Sequence, residues 1–193
     1  WPLVTKSDGT KFGKTADGAV WLDPSRTSPY QFRQFWMQMA DADVVKYLPQ
    51  FSLASLDETN ALIAEHNSDP GKRVAQRVLA QEMTALVHGT AAAANAEAAA
   101  DILFGGDPTA ASLEALLVVA GEVPTTDVGR HELDDTFGLL ARAQVVASTS
   151  EARRTIDQKG LRVNGSVLEK DETLASKGLL HDRYVLVRKG KTA

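Results

Sequence analysis

Two lysines three residues apart, Lys11 and Lys14, lie in the run Asp8-Gly9-Thr10-Lys11-Phe12-Gly13-Lys14-Thr15. Glycine lets backbone approach a ligand closely, and lysine carries a mobile point charge on a long stem. Such a pair suits a polyphosphate whose negative charge grows or moves during a reaction. The Gly-x-x-x-x-Gly-Lys spacing of a P-loop is absent, so no phosphate nest at a helix start is implied. A second cationic group lies far along the chain, in Ser150-Glu151-Ala152-Arg153-Arg154-Thr155-Ile156 and then Gly160-Leu161-Arg162-Val163-Asn164-Gly165. Ala152 and Ile156 are four apart and share one helix face. Arg153, Arg154 and Lys159 are then left to project, beside Arg162 on the adjoining strand. Free N–H groups at the helix start, Ser148 to Ser150, add a positive dipole end. This combination suits phosphate and ribose rather than base edges.

The elements that position these groups are legible from caps and periodicity. Residues 1–27 read as a strand end, the lysine loop and a short apolar segment. Ser28-Pro29-Tyr30-Gln31 is a capping box with proline in the first turn, and Phe32, Phe35, Trp36 and Met39 form its buried face. Asp41, as N-cap, opens a short helix with Val44, Val45, Tyr47 and Leu48, stopped by Pro49. Ser55 to Glu58 is another capping box, for a helix to about Asn67. Asp69-Pro70 caps the longest helix, which reaches His88 and closes at Gly89. Its stripe is Ala75, Val78, Leu79, Met83 and Leu86, with Arg73, Gln76 and Arg77 on other faces. An alanine-rich helix from Thr90 to Phe104 and a short one from Ser112 to Ala120 complete an all-helical array.

The polar, proline-broken run from Gly121 to Gly129 reads as a boundary. Beyond it come a helix from Asp135 to about Val146, a second from Glu151 to Lys159, and an Asn164-Gly165 hairpin turn. Arg183 to Lys189 reads as the last strand. The expected fold is therefore mainly α, then α+β. The expected divisions are 1–27, a helical domain at 28–122, a linker at 123–130, and a small α+β domain at 131–193.

Composition narrows the function classes. The chain has 193 residues, no cysteine and four scattered histidines, which excludes a disulfide framework and a thiolate metal site. No apolar run approaches the roughly 20 residues of a spanning helix, and the first residues lack a signal-peptide pattern. A cytoplasmic protein with no metal ligands of its own and no membrane partner is expected. The net charge of −4 divides unevenly: residues 130–193 carry +3 and residues 1–129 carry −7. The C-terminal third thus has the mild positive excess of a polyanion binder.

Lys11-Phe12-Gly13-Lys14-Thr15 resembles the KMSKS loop of class I aminoacyl-tRNA synthetases. The Arg153-Arg154 helix with its Val163-Asn164-Gly165 turn resembles the small RNA-binding domain first seen in ribosomal protein S-four. Between them, Ser28-Pro29-Tyr30-Gln31-Phe32, Asp41 to Leu48, and Arg73 to Gly89 resemble bacterial tyrosyl-tRNA synthetases in order and spacing. The resemblance covers essentially the whole chain. It implies that residues 11–15 close over ATP, with its Mg²⁺, while tyrosine is activated, and that the tyrosyl group then passes to tRNA(Tyr). Lys11 and Lys14 would neutralise charge on the departing pyrophosphate, a contact stronger in the transition state than in the ground state. Phe12 and Gly13 stand where the wider family has Met and Ser, so backbone contacts must replace a hydroxyl.

The helical array would be the anticodon-binding domain, with Asp41 and Asp43 as candidates for a base contact. Ser150, Arg153, Arg154, Lys159, Arg162 and Asn164 would be the RNA-binding residues of the last domain. No His-x-Gly-His motif occurs, and no parallel βαβ unit precedes the loop. The tyrosine pocket, most of the ATP site and the homodimer interface are therefore expected in a catalytic domain outside these residues, and the 193-residue segment alone is expected to be inactive. A stand-alone RNA-binding protein, or the targeting region of an RNA-modifying enzyme, are the competing readings; the lysine loop ahead of the helical array argues against both.

Overall fold

The computed structural model describes residues 4, 5, 7, 9, 10, 12, 14, 15 and 18–190, with backbone alone for 14, 15 and 18. The chain divides into two compact units, Trp1–Glu97 and Ala98–Ala193. Helices dominate, and a small three-stranded sheet closes the chain, as the sequence pattern requires.

The first unit begins with a two-stranded ribbon, β1 (Lys14–Thr15) and β2 (Gly18–Ala19), antiparallel with Lys14 opposite Ala19. Helix α1 (Pro29–Met37) starts at the Ser28 capping box, which satisfies two otherwise orphaned backbone donors. Helix α2 (Asp41–Phe51) follows, then α3 (Leu56–Ser68) from the Ser55 capping box and α4 (Val74–His88). The core interleaves Phe32, Trp36 and Met39 of α1 with Val44, Tyr47 and Leu48 of α2 and Ala75, Leu79 and Met83 of α4. Three- and four-residue spacing on each helix brings these side chains to one seam.

Several local expectations are corrected. Pro49 does not stop α2, which runs on to Phe51. Pro49 is exposed, so its missing N–H lies on the solvent side, while the Phe51 ring packs 5.4 Å from Trp36 and 5.9 Å from Tyr47. Asp41 is not the N-cap: Ala40 holds that position without a side-chain bond, and Asp41 is the first helical residue. Asp69-Pro70 opens only a 3₁₀ turn, Pro70–Lys72, and Arg73 then takes a left-handed conformation (φ 53°) that separates it from α4. Gln76 belongs to the buried face, fully enclosed, and Leu86 is exposed.

The alanine-rich helix α5 (Thr90–Leu103) spans the division between the units. In the second unit, α6 (Leu113–Glu122) starts at Ser112, whose hydroxyl accepts from the Ala115 amide, and ends two residues later than expected. Helix α7 (Thr136–Arg142), by contrast, is shorter than expected. Gln144 turns left-handed (φ 58°) and the Val145 amide folds back onto the Leu140 carbonyl at 3.0 Å, which drops Val146 into the core. Helix α8 (Thr149–Asp157) has Ser148 as its N-cap. Strands β3 (Leu161–Val163), β4 (Ser166–Val167) and β5 (Val187–Lys189) form an antiparallel sheet in the order β4-β3-β5. Asn164 (φ 49°) and Gly165 (φ 85°) make the tight β3–β4 turn that the Asn-Gly pair requires. The last strand is shorter than Arg183 to Lys189, because Leu180 bridges Tyr184 across a tight turn with His181 and Asp182 left-handed. The core combines Leu139 and Leu140 of α7, Ala152 and Ile156 of α8, and Leu161 and Val163 of β3 with Leu168 and Leu174.

Candidate nucleic-acid interface

Of the lysine loop, Lys11 and Gly13 lie outside the described residues, as do the side chains of Lys14 and Thr15. The structure does describe what holds the loop. The Phe12 ring packs into the aromatic core of the first unit, 4.7 Å from Tyr47, 5.3 Å from Phe51, and 5.5 Å from both Phe35 and Trp36. Its amide donates to the Val4 carbonyl at 3.1 Å. The Phe12 side chain is thus an anchor, where a nucleotide contact was expected of it.

Helix α2 ties the same segment from a second side. The Asp43 carboxylate accepts from the Ser7 amide at 2.5 Å, and the Lys46 ammonium donates to the Thr5 carbonyl at 2.6 Å. Asp43 is 5% exposed. With its carboxylate enclosed and engaged by Ser7, it offers no face to a base, and the anticodon expectation is withdrawn for it. Asp41 is different. Its carboxylate accepts from the Gln76 amide at 2.7 Å and lies 3.3 Å from the buried His66 ring, yet its side chain is 55% exposed. Gln76 also donates to the Met39 carbonyl, and Arg73 donates to the carbonyls of Met37 and Met39. These two long polar side chains close the C-terminal end of α1, a role the apolar stripe of α4 gives no hint of.

In the second unit, α8 presents Ser150, Arg153 and Arg154 to solvent, with Ala152 and Ile156 buried beneath. The Arg153 guanidinium sits 5.0 Å from the centre of the Phe137 ring, a cation–π contact that fixes its stem and leaves its edge open. Arg154 makes no hydrogen bond or ion pair with a described side chain. Lys159 pairs with Glu169 at 3.3 Å, both largely exposed, and such a pair is readily exchanged for a phosphate. Arg162 is half-buried on β3 and donates to the Gly165 carbonyl at 3.0 Å.

Asn164 departs from its expected role. It is 6% exposed, its amide donates to the Gly178 carbonyl at 3.0 Å, and its carbonyl oxygen accepts from the Leu186 amide at 2.9 Å. It welds the hairpin turn to two neighbouring segments, and both polar atoms of its side chain are engaged there. Fixing the turn fixes Arg162 beside it.

The sequence reading also missed two cations of β5. Arg188 lies directly across from Arg162 in the antiparallel register, on the same sheet face. Two guanidiniums in that relation repel, and the structure resolves it by sending Arg188 to the Leu103 carbonyl at the end of α5, where a cation meets the negative helix terminus. Gly105 (φ 110°) leaves room for this: a Cβ there would stand 2.6 Å from an Arg188 nitrogen. Lys189 reaches the Glu151 carboxylate at 2.7 Å. The adjacent Arg188-Lys189, breaking the alternation of the strand, was the available signal.

Two electrostatic details support the scaffold. Glu132 accepts from Arg142 and from the Gly129 amide, both at 2.6 Å, which lowers its pKa to about 2. The bond from Lys189, and then that from the Ala147 amide, lower the pKa of Glu151.

Comparison with known proteins follows the same division of the chain. Residues 1–105 match the family model described as tRNA synthetases class I (W and Y), and residues 116–193 match the tyrosine–tRNA ligase SYY-like C-terminal domain. The tyrosine–tRNA ligase of Anaeromyxobacter dehalogenans is 48% identical over 195 residues, covering 99% of this chain and 46% of that protein. That of Kineococcus radiotolerans is also 48% identical, over 98% of this chain and 45% of that protein. A C-terminally truncated mitochondrial tyrosyl-tRNA synthetase of Coccidioides posadasii is 41% identical over 49% of this chain and 24% of its own, with a TM-score of 0.42. The chain spans about half the length of the curated relatives it matches. Over more than half of its own length it meets the class I model, and it belongs to the tRNA synthetases class I (W and Y) family.

Proposed function

We propose that this chain is the C-terminal part of a tyrosine–tRNA ligase, which activates tyrosine with ATP and transfers it to tRNA(Tyr). One observation carries the reading: identity of 48% runs along 99% of the chain to a protein of that name. In the reaction, the tyrosine carboxylate attacks the α-phosphorus of ATP, tyrosyl-adenylate forms and pyrophosphate leaves. The tRNA 3′-terminal hydroxyl then attacks the tyrosyl carbonyl and AMP leaves.

Lys11 and Lys14 are assigned to the charge on the departing pyrophosphate, with the backbone of residues 12, 13 and 15 lining the phosphates. ATP would bring Mg²⁺ as its phosphate complex. The helical array receives the anticodon stem, and Asp41, the carboxylate with an exposed face, is assigned to a base. Ser150, Arg153, Arg154, Lys159 and Arg162 grip the tRNA backbone. Tyrosine is held, and the homodimer formed, by residues beyond these. The reading assigns the reaction to the cytoplasm; no described helix is long and apolar enough to cross a membrane.

The test is tyrosine-dependent exchange of pyrophosphate into ATP by the full-length protein, with Lys14→Ala beside the wild type. Loss of exchange supports the assignment, and unchanged exchange refutes the role given to the loop. For the last domain, Arg153→Glu with Arg154→Glu should weaken binding of a tRNA(Tyr) transcript and flatten its salt dependence. Equal affinity would leave these arginines as a solvated surface.

A further inference from the structure

Between α8 and the end of β5 lies an open pocket of about 360 Å³, to which Glu151, Arg154, Gly160, Lys189 and Gly190 contribute. Its frame is fixed by backbone. The Gly190 amide donates to the Gly160 carbonyl at 3.1 Å, and the Gly160 amide donates to the Thr155 carbonyl at 2.8 Å. Two cations line it in different states. Arg154 is exposed and makes no hydrogen bond or ion pair with a described side chain. Lys189 is held by one Glu151 oxygen at 2.7 Å, while the other Glu151 oxygen accepts from the Ala147 amide at 2.7 Å. The carboxylate thus stands where an external anion would have to bind to reach both cations.

We propose that Arg154 and Lys189 form a subsite for one phosphodiester group of bound RNA, and that Glu151 occupies the lysine until the RNA displaces it. This rests on the reading of the second unit as an RNA-binding domain. The chemistry favours exchange. A phosphate offers acceptors to a guanidinium fork and an ammonium at once, whereas Glu151 hydrogen-bonds the ammonium and feels Arg154 only through its charge. The pair is part-exposed, at 42% for Lys189 and 27% for Glu151, so opening it strips little water. After opening, Glu151 keeps the Ala147 amide and its place in the first turn of α8, where a carboxylate is favoured. Breaking one exposed pair costs little, and in return the pocket presents two positive charges in place of one.

The experiment measures binding of a tRNA(Tyr) transcript to the full-length protein between about 50 and 200 mM salt, a range in which each phosphate contact adds about 0.9 to the slope of log K against log salt. Lys189→Ala should weaken binding and reduce that slope by about one contact. Glu151→Gln retains an acceptor for Ala147 but frees Lys189, and should tighten binding by about 1.5- to 5-fold, the range for one exposed ion pair. In the Lys189→Ala background, Glu151→Gln should have a clearly smaller effect, because only its charge beside Arg154 remains to be removed. Thermal melts by circular dichroism confirm that each variant is folded. If Lys189→Ala and Glu151→Gln leave affinity and slope unchanged, the pair is a strut between α8 and β5 and the proposal is overturned. Weakening by charge reversal at Arg153 and Arg154 in that case shows the RNA-binding reading standing without the subsite. Charge reversal without effect removes both.

Discussion

Asn164 separates a structural role from an RNA-binding one, and the structure sets the magnitude. Its side chain joins two backbone groups, the Leu186 amide at 2.9 Å and the Gly178 carbonyl at 3.0 Å, from a position 6% exposed. Leu186 is part-buried, and leaving its amide without a partner costs about 1–3 kcal/mol, whereas Gly178 is exposed and its carbonyl can turn to water. The residue is also left-handed, at φ 49°, a conformation that costs an ordinary side chain about 1–2 kcal/mol and costs Asn or Gly less. Asn164→Ala should therefore destabilise the second unit by about 2–5 kcal/mol, and Asn164→Gly by about 1 kcal/mol less, because glycine recovers the backbone conformation but neither bond. That is a large share of the roughly 5–15 kcal/mol that holds a domain together. Urea titration followed by far-ultraviolet circular dichroism gives the ordering, and hydrogen exchange at residues 161–168 locates the loss. Binding of a tRNA(Tyr) transcript, measured where each variant is still folded, should stay within about twofold of wild type, since both polar atoms of the Asn164 side chain are already engaged within the protein. A variant of unchanged stability that loses RNA affinity would refute this reasoning and restore Asn164 as an RNA contact.

Three further outcomes are expected. Lys14→Ala should slow tyrosine activation by about 10²–10³, the loss typical of one fixed charge-stabilising donor, with little change in tRNA affinity; single-turnover measurement of adenylate formation reads this directly. Phe12→Ala removes a half-buried ring from four aromatic contacts and should cost about 1–3 kcal/mol in stability of the first unit. Phe12→Leu should recover most of that, as seen by tryptophan fluorescence in urea, and full stability with Ala would show that the ring is not an anchor. Glu132 should titrate near pH 2 by carboxyl NMR, and in Arg142→Ala its pKa should rise toward 4.5. Because the folded-state pKa is the lower one, this group's contribution to stability is present above pH about 4.5 and is lost as pH falls toward 2.

What the sequence made legible was whatever depends on neighbours in the chain. The Ser28, Ser55 and Ser148 caps, the Asn164-Gly165 turn and the buried faces of α1 and α8 follow from three- or four-residue spacing, and all are in place. What failed was set by contacts distant along the chain. Pro49 predicts a stop, but Phe51 beyond it packs on Trp36. Gln76 looks like a surface residue until the carbonyl of Met39 is brought over it. Asn164 reads correctly as a turn residue, but nothing local shows that Leu186 and Gly178 claim its side chain. A polar residue's type gives its chemistry, but only the fold shows which partner uses it.

The lysine loop shows why that matters for function. A charge-stabilising contact accelerates a reaction only if it is already aimed when charge develops, since reorganisation during the step erodes the gain. Nothing in Lys11-Phe12-Gly13-Lys14-Thr15 supplies that aim by itself; its one glycine makes the segment permissive. On the proposed role, the aim would come from outside the segment, through the Phe12 ring in the aromatic core and through Asp43 and Lys46 of α2 holding Ser7 and Thr5. Helix α2 also begins with Asp41, the residue assigned to an anticodon base. One helix thus bears both the candidate base contact and the tethers of the phosphate loop. Substitutions at Asp43 or Lys46 should then change the rate of activation more than the affinity for tRNA, because they alter where the loop points and leave the RNA surface as it is.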